Sequence, residues 1–273
     1  MTEFASENTD PATLLAWHVA MGADEAVDDD PIDRFTAEPP PPAAVVPQQK
    51  PAVAKPPQGP RPVAAKPVQA VVGAGPEAAA RVAAEAQTLA DLKTAMEAFD
   101  GGLLKRSAKN TVFADGTEGA PLMVIGEAPG ADEDQQGKPF VGVSGQLLDR
   151  ILNAAGFARE ENVYITNMVP WRPLGNATPD AATIAMCMPF VKRHIELSKP
   201  KVILMVGGVS AKALLDTEDG ITRLRGRWKE LDIGGQKIAA LPVYHPAYLL
   251  RQPALKGHAW RDILSAKRKL ASL

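Results

Sequence analysis

The sequence predicts an α/β fold of three layers, α/β/α, around a central four-stranded parallel sheet. Four short apolar runs have the length of buried strands, and segments with helical spacing lie between them. Strands that alternate with helices favour a parallel sheet covered by helices on both faces. The predicted strands are residues 122–125, 163–166, 202–206 and 238–243.

Helices are predicted before, between and after these strands. An alanine-rich stretch with apolar residues at helical spacing predicts one continuous helix over residues 77–99. The remaining helices are predicted at residues 145–155, 180–197, 210–215 and 261–270. The strands and helices together are enough for one domain, which we expect at residues 81–273.

The first 80 residues differ in composition from this domain. Residues 1–35 form an acidic segment with the spacing of a short helix at 11–22, which either docks on a protein partner or has no specific role. Residues 36–80 are expected to form a disordered linker rich in proline and alanine. Twelve of the 25 prolines lie at residues 39–76, a stretch without aromatic residues that could join a core.

The composition excludes several classes of protein. No run reaches the roughly 18 apolar residues of a membrane span, and the N-terminus lacks the blocks of a secretory signal. The single cysteine, Cys187, excludes an intramolecular disulfide and a zinc or iron–sulfur site built from cysteines of one chain. We therefore expect a cytoplasmic protein. Residues 1–38 contain ten acids and one base, so the rest of the chain has a net charge of about +7 when the whole chain has −2. A basic domain of this kind is compatible with a polyanionic partner, and the alternative is simply an acidic tail.

A glycine-containing loop with four acids follows the first predicted strand. It begins GEAPGADED (126–134) and continues, after two glutamines, as GKPFVG (137–142). Gly126 and Gly130 allow the backbone to approach a ligand closely, and the acids are able to orient water or bind a metal. The spacing fits neither a Walker loop nor a dinucleotide fingerprint, so a solvated acidic loop is the alternative.

Three polar side chains are each expected at the carboxyl end of a predicted parallel strand: Glu127, Asn167 and His245. Those ends meet at one edge of a parallel sheet, so the three side chains should converge. Taken singly, each has an ordinary structural alternative as a loop, turn or strand-end residue. Phe140, beside the first loop, is either a core residue or a platform for stacking on a base. The convergence predicts an active site without indicating its reaction.

The chain resembles the uracil-DNA glycosylase superfamily, and within it the thermostable bacterial and archaeal group called family four. The resemblance covers roughly residues 85–273, and its motifs come in the order of the family. Four stretches carry it: GEAPGADEDQQGKPFVGVSGQLLDRIL (126–152), NMVPWRPLGNATP (167–179), CMPFVKRHIELSKPKVILMVGGVSAKALL (187–215) and HPAYLLRQP (245–253).

The resemblance implies a monomeric, monofunctional glycosylase of base-excision repair, whose partner is uracil-containing DNA. Such an enzyme flips the uridine out of the duplex into a pocket. By resemblance, Gly126, Phe140 and Asn167 bind the substrate: Phe140 stacks on the uracil ring, and Asn167 recognises the edge of uracil and rejects cytosine. His245 donates to the uracil oxygen that gains negative charge.

The residue that activates water is less clear from the resemblance. The best-known families have an aspartate where this chain has Ala128, and family four also lacks it. Glu127 is expected near the uracil or the water, and Glu133 is a candidate to hold the water. Because the cleavage is largely dissociative at the sugar, positioning can matter more than a strong base.

The turn after His245 carries the expected DNA contacts. Leu249 or Leu250 would fill the gap that the flipped base leaves in the stack, and Arg251 would contact a phosphate. For the leucines, burial in the core is the alternative.

The chain departs from family four at the ligands of its [4Fe–4S] cluster. Two of the four cysteine ligands correspond here to Trp171 and Cys187, and the other two to a CxxC at residues 99–104, which contain no cysteine. One thiolate cannot hold a cluster, so we expect no cofactor. Trp171 and Phe99 are expected to fill its place, with Cys187 as a small core residue.

There are two further interpretations. One is a non-catalytic DNA- or uracil-binding module of the same fold, which the intact set of Glu127, Phe140, Asn167 and His245 argues against. The other is a relative that traps itself covalently on DNA through a histidine. That group has a basic insertion before the His-Pro turn, for which residues 241–244 leave no room.

Overall fold

The computed structural model describes residues 75–273, which contain one mixed sheet of six strands. The strands are β1 (Asp115–Gly116), β2 (Leu122–Gly126), β3 (Val163–Asn167), β4 (Val202–Val206), β5 (Lys229–Ile233) and β6 (Gln236–Val243). Their order across the sheet is β1-β3-β2-β4-β6-β5. The four central strands are parallel, and β1 and β5 pair antiparallel at the two edges.

Ten α-helices lie in this part of the chain. They are α1 (Pro76–Glu85), α2 (Leu89–Ala98), α3 (Gly102–Ser107), α4 (Ala131–Gln136), α5 (Val143–Ala154), α6 (Ala181–Ser198), α7 (Gly208–Leu215), α8 (Ile221–Leu224), α9 (Pro246–Arg251) and α10 (Lys256–Ala271). Among them, none has the length and apolar character that crossing a membrane would need.

Helices cover both faces of the sheet because the central strands are apolar on both sides. In β2, Met123 and Ile125 join a core cluster that includes residues of α1, α2 and α6. Leu122 and Val124 face the other way, into a cluster with α5 and α10. Alternate residues of a strand point to opposite faces, so one wholly buried strand contributes side chains to two core clusters.

The α/β fold and all four predicted strands are confirmed, but the sheet is larger than predicted. The prediction missed β1, which is only two residues long, and β5, a charged edge strand of sequence KELDI. An edge strand is buried on fewer sides than a central one and therefore lacks the continuous apolar run that identifies the other strands.

Two predictions about local structure were wrong. The expected helix over residues 77–99 is two helices, because Thr88 starts α2 with a capping box in which its side chain accepts from the Asp91 backbone N–H. Residues 131–136, expected as loop, form α4. The segment 1–35 and the linker as far as residue 74 lie outside the described residues, whereas residues 76–80, assigned to the linker, begin α1.

Candidate active site

A cavity of about 550 Å³ opens where the parallel strands end. Glu127 directly follows β2, Asn167 ends β3 and His245 lies two residues beyond β6, and all three line this cavity together with Phe140. The structure therefore brings together the polar residues that the strand pattern places at one edge. The volume lies within the roughly 300–1,000 Å³ typical of small-ligand sites.

Asn167 supplies an unpaired acceptor to the cavity wall. Its side chain is 5% exposed, and its Oδ1 finds no hydrogen-bond partner within residues 75–273. Gly126 is its neighbour in the parallel β2–β3 pair. A Cβ at Gly126 would lie 2.5 Å from the Phe140 ring and also clash with Asn167, so glycine is required there. A buried acceptor left unpaired is costly, so the site is suited to a bound group that donates a hydrogen bond to it.

Phe140 and His245 form one side of the cavity. Their ring centroids are 5.7 Å apart with an interplanar angle of 30°. The Phe140 backbone is left-handed, with φ of 55°, which is uncommon for a residue with a side chain. Gly207 lies against His245, so that a Cβ there would be 3.3 Å from the imidazole.

His245 is held as a neutral hydrogen-bond donor. Its Nδ1 accepts from the Ala247 backbone N–H at 3.2 Å, which caps α9. Burial, assisted by the charge of Arg251, lowers the pKa of His245 to about 4 against an opposing effect of Glu133. In the neutral ring Nδ1 is therefore the acceptor, and the proton lies on Nε2.

The two glutamates of the first loop have different environments. Both glutamates line the cavity, and burial raises the pKa of the Glu127 carboxyl group. The carboxylate of Glu133 accepts three backbone N–H groups, those of Gly130, Val141 and Gly142, at 2.9–3.0 Å. Both oxygens of Glu133 are thus engaged in holding the loop, which leaves Glu127 as the acid better placed to meet a water.

The two leucines of the HPAYLLRQP motif differ in burial. Leu249 is 1% exposed and packs in a small core cluster with Leu147, Tyr244 and Ala259. Leu250, the next residue, is 38% exposed, and Arg251 lines the cavity.

Sequence reasoning missed part of the cavity wall. Ser144 lines it from α5 and Tyr248 from α9, and residues of the segment that follows Arg172 close another side: Pro173, Asn176, Ala177 and Thr178. Tyr248 lies one helical turn beyond His245, a spacing that could have indicated it. The other residues carry no local signal, because only the packing of the segment brings them to the cavity.

The residues that the sequence resemblance matches to the cluster ligands do not have the chemistry to hold a metal cluster. Phe99 and Trp171 stack with centroids 6.4 Å apart, and Phe190 meets Phe99 edge-on at 5.0 Å. Cys187 belongs to the same buried cluster, and burial raises the pKa of its thiol to about 12, which disfavours the thiolate that a metal needs. Residues 75–273 contain no group of three or more His, Cys, Asp or Glu arranged to hold a metal ion.

Comparison with known proteins shows the family of the chain. Residues 113–264, more than half of the chain, match the model of the uracil DNA glycosylase superfamily. The chain is 38% identical over 164 residues to a type-4 uracil-DNA glycosylase of Pyrobaculum aerophilum, a match that covers 59% of this chain and 83% of that protein. For the enzymes of the same name from Saccharolobus solfataricus and Thermotoga maritima, the identities are 39% and 37%, over 60% and 58% of this chain and 78% and 82% of theirs. The chain therefore belongs to the uracil DNA glycosylase superfamily.

Proposed function

We propose that this protein is an active, monofunctional uracil-DNA glycosylase that takes uracil out of DNA and hydrolyses its N-glycosidic bond, which starts base-excision repair. The observation that carries the proposal is the unpaired Oδ1 of Asn167 in a cavity that Phe140 and His245 also line. The catalytic unit begins with α1 at Pro76 rather than at residue 81 and acts as a cytoplasmic monomer, and residues 1–35 either dock on a protein partner or have no specific role.

Recognition of uracil follows from the hydrogen-bonding pattern of its edge. The N3–H of uracil donates to Asn167 Oδ1, and the amide N–H of the same side chain donates to the O4 of uracil. Cytosine has an acceptor at N3 and a donor at C4, so it opposes both groups. Each well-made bidentate contact of this kind contributes about 1–3 kcal/mol to discrimination. Phe140 stacks on the ring, and Gly126 leaves the space for it.

Cleavage requires stabilisation of the departing base. As the bond between the sugar C1′ and N1 of uracil breaks, its electron pair passes to the base, and the Nε2–H of neutral His245 donates to the oxygen that gains charge. Water then attacks C1′ and loses a proton, which Glu127 accepts. The raised pKa of Glu127 suits a group that takes up a proton near neutral pH.

Contact with DNA falls to the exposed part of α9. Leu250 is the wedge that occupies the gap left by the flipped base, because Leu249 is committed to the core. Arg251 contacts a backbone phosphate and fixes the register of the protein on the duplex.

The enzyme works without an iron–sulfur cluster. The aromatic packing of Phe99, Trp171 and Phe190 provides the apolar contacts that hold this region together. Purified protein should accordingly contain no stoichiometric iron, and about four irons per chain in an iron assay would contradict this.

Excision of uracil from an oligonucleotide tests the proposal. The full chain is incubated with a uracil-containing strand, and alkali then cleaves the strand at abasic sites. His245→Ala should slow release by about 10²-fold, the loss of about 3 kcal/mol seen when one such donor is removed. His258→Ala, a histidine of α10 outside the cavity, is the matched control. Binding of uracil-containing DNA without cleavage would instead indicate a non-catalytic module.

A further inference from the structure

The backbone around Phe140 adopts a conformation that its own sequence does not favour. Phe140 has φ of 55°, in the left-handed region that costs a residue with a side chain about 1–2 kcal/mol. The first turn of α5 packs tightly on it, since a Cβ at Gly145 would collide with the Phe140 backbone. Contacts from elsewhere in the fold must therefore hold this turn, because the local sequence alone would relax it.

Arg159 supplies these contacts from the segment between α5 and β3. Its guanidinium donates to the carbonyl oxygen of Pro139 at 2.8 Å and to that of Phe140 at 2.5 Å. The two bonds hold the peptide units on either side of the Phe140 α-carbon, so they restrict both dihedral angles that aim the ring.

Arg159 is itself fixed by two carboxylates. It forms a bidentate pair with Asp149 of α5 at 2.8 and 3.2 Å, and a further ion pair with Asp115 of β1 at 3.0 Å. The Arg159 side chain is only 11% exposed. Such a planar, doubly paired guanidinium keeps its direction far better than a free side chain would.

Glu133 holds the same turn from the other side. Its carboxylate accepts the backbone N–H groups of Val141 and Gly142, the two residues after Phe140, at 3.0 and 2.9 Å. Arg159 thus binds the carbonyl groups before and at the ring, and Glu133 binds the amide groups after it.

We propose that Arg159 is a positioning residue, which with Glu133 fixes the left-handed turn at Phe140 so that the ring faces the base-binding cavity. Arg159 does not line that cavity and touches no reacting atom; it acts through Phe140. This inference rests on the proposed function, since it assigns the clamped ring to stacking on uracil.

A double-mutant cycle tests whether Arg159 acts through Phe140. Arg159→Met should lower kcat/KM for uracil excision by about tenfold, as expected for a weakened base–aromatic stack, with most of the change in KM. In a Phe140→Ala background the same substitution should cause no further loss. Arg159→Lys, which keeps the charge and some of the donors, should recover part of the activity.

The control is Arg193→Met. Arg193 also donates to a backbone carbonyl, that of Ala86, and pairs with a carboxylate, that of Glu196, but neither partner lines the cavity. This variant should lose stability and keep its activity per folded molecule. If Arg159→Met does not fold, Asp149→Asn, which loosens the guanidinium, should give a smaller loss in the same direction.

The ring signals of Phe140 in an NMR spectrum provide a readout that does not need catalysis. The ring lies 5.7 Å from the His245 ring, so its shifts report their relative placement. Arg159→Met should move these signals, and Arg193→Met should not. If the wild-type protein does not release uracil, the proposed function is refuted. The NMR measurement would still test whether Arg159 positions the Phe140 ring. The inference would be overturned if the losses in kcat/KM from Arg159→Met and Phe140→Ala multiplied in the double mutant. It would also be overturned if Arg159→Met left the ring signals of Phe140 unmoved.

Discussion

The proposed chemistry of the site depends on two side chains whose pKa values are shifted by burial. Burial disfavours the charged form of each, so it lowers the pKa of His245 to about 4 and raises the pKa of Glu127. His245 is therefore a neutral donor, and Glu127 is a better proton acceptor than an exposed carboxylate. The same physical effect thus prepares an imidazole and a carboxylate for the roles proposed for them.

At Asn167, we expect Asn167→Asp to relax the discrimination between uracil and cytosine. The carboxylate can accept from the amino group of cytosine and can no longer donate to O4 of uracil. Uracil excision should fall, and the ratio of uracil to cytosine release should drop roughly 10- to 100-fold. Release of each base from matched oligonucleotides measures this.

Asn176→Asp is the control for that substitution. Asn176 lines the same cavity, so its replacement by aspartate adds the same negative charge there without changing the proposed contact with the edge of the base. Equal loss of discrimination in both variants would show that charge alone is responsible and that Asn167 does not recognise the edge.

At Glu127, we expect the single-turnover rate to fall as the pH drops through the pKa of this carboxyl group. The acid limb should lie above the usual range of a glutamate, because burial raises that pKa. Glu127→Gln should be slower by about 10²-fold at neutral pH and should lack this limb. An unchanged acid limb in the variant would assign the titration to another group.

At the scale of the element, the junctions between strands and helices determine what each side chain does. In α9, His245 caps the first turn and Pro246 occupies the first helical position, so the direction of the helix is set at the histidine that lines the cavity. That direction turns Leu249 into the core and leaves Leu250 exposed. Adjacent residues of one helix thereby receive opposite roles.

We expect Leu250→Ala to weaken excision from duplex DNA far more than excision from a single strand. The proposed wedge would compensate for the lost stacking of a flipped base, and a single strand has little stacking to restore. The expected loss in kcat/KM on duplex DNA is about tenfold or more. It is measured by comparing excision from one uracil-containing strand alone with excision from the same strand annealed to its complement.

Leu103→Ala is the matched control for the wedge. Leu103 is a more exposed leucine of α3 that does not line the cavity, and its loss should leave both rates unchanged. Equal losses of Leu250→Ala on single and double strands would exclude the wedge.

At the scale of the whole molecule, a second buried histidine, His194, should make the free energy of unfolding depend on pH. His194 is 2% exposed, stacks on Phe113 and shares a hydrogen bond of 2.9 Å with the Tyr164 hydroxyl group. Burial lowers the pKa of His194 to about 3. Between about pH 6.5 and 4 the unfolded chain therefore binds protons at His194 and His245 that the folded protein does not, and the free energy of unfolding falls with pH.

Each of these histidines should contribute a slope of about 1.4 kcal/mol per pH unit within this window. His194→Gln should remove the share of His194, whereas Tyr164→Phe, which loses the hydrogen bond and keeps the buried imidazole, should retain the slope. Urea unfolding between pH 7 and 4.5 measures this. Parallel curves for wild type and His194→Gln would show that His194 has the same pKa in the folded and the unfolded protein.

The sequence by itself determined the parallel core of the sheet and the edge at which the site lies. Runs such as Val202–Val206 are apolar throughout, and this pattern reflects burial on both faces wherever the strand is placed. Glu127, Asn167 and His245 follow such runs, so their convergence is a consequence of strand direction alone. The motifs around them carry the resemblance to the superfamily, which the comparisons confirm.

Only the tertiary structure decided what depends on contacts between distant segments. The pattern of the last motif does not distinguish Leu249 from Leu250, because the separation depends on the packing of α9 against α5 and α10. The clamp of Arg159 on Pro139 and Phe140 is likewise made of hydrogen bonds between residues 20 and 19 positions apart in the chain. Such contacts leave no periodic signal in the sequence, since each depends on where two separate loops meet after the sheet has formed.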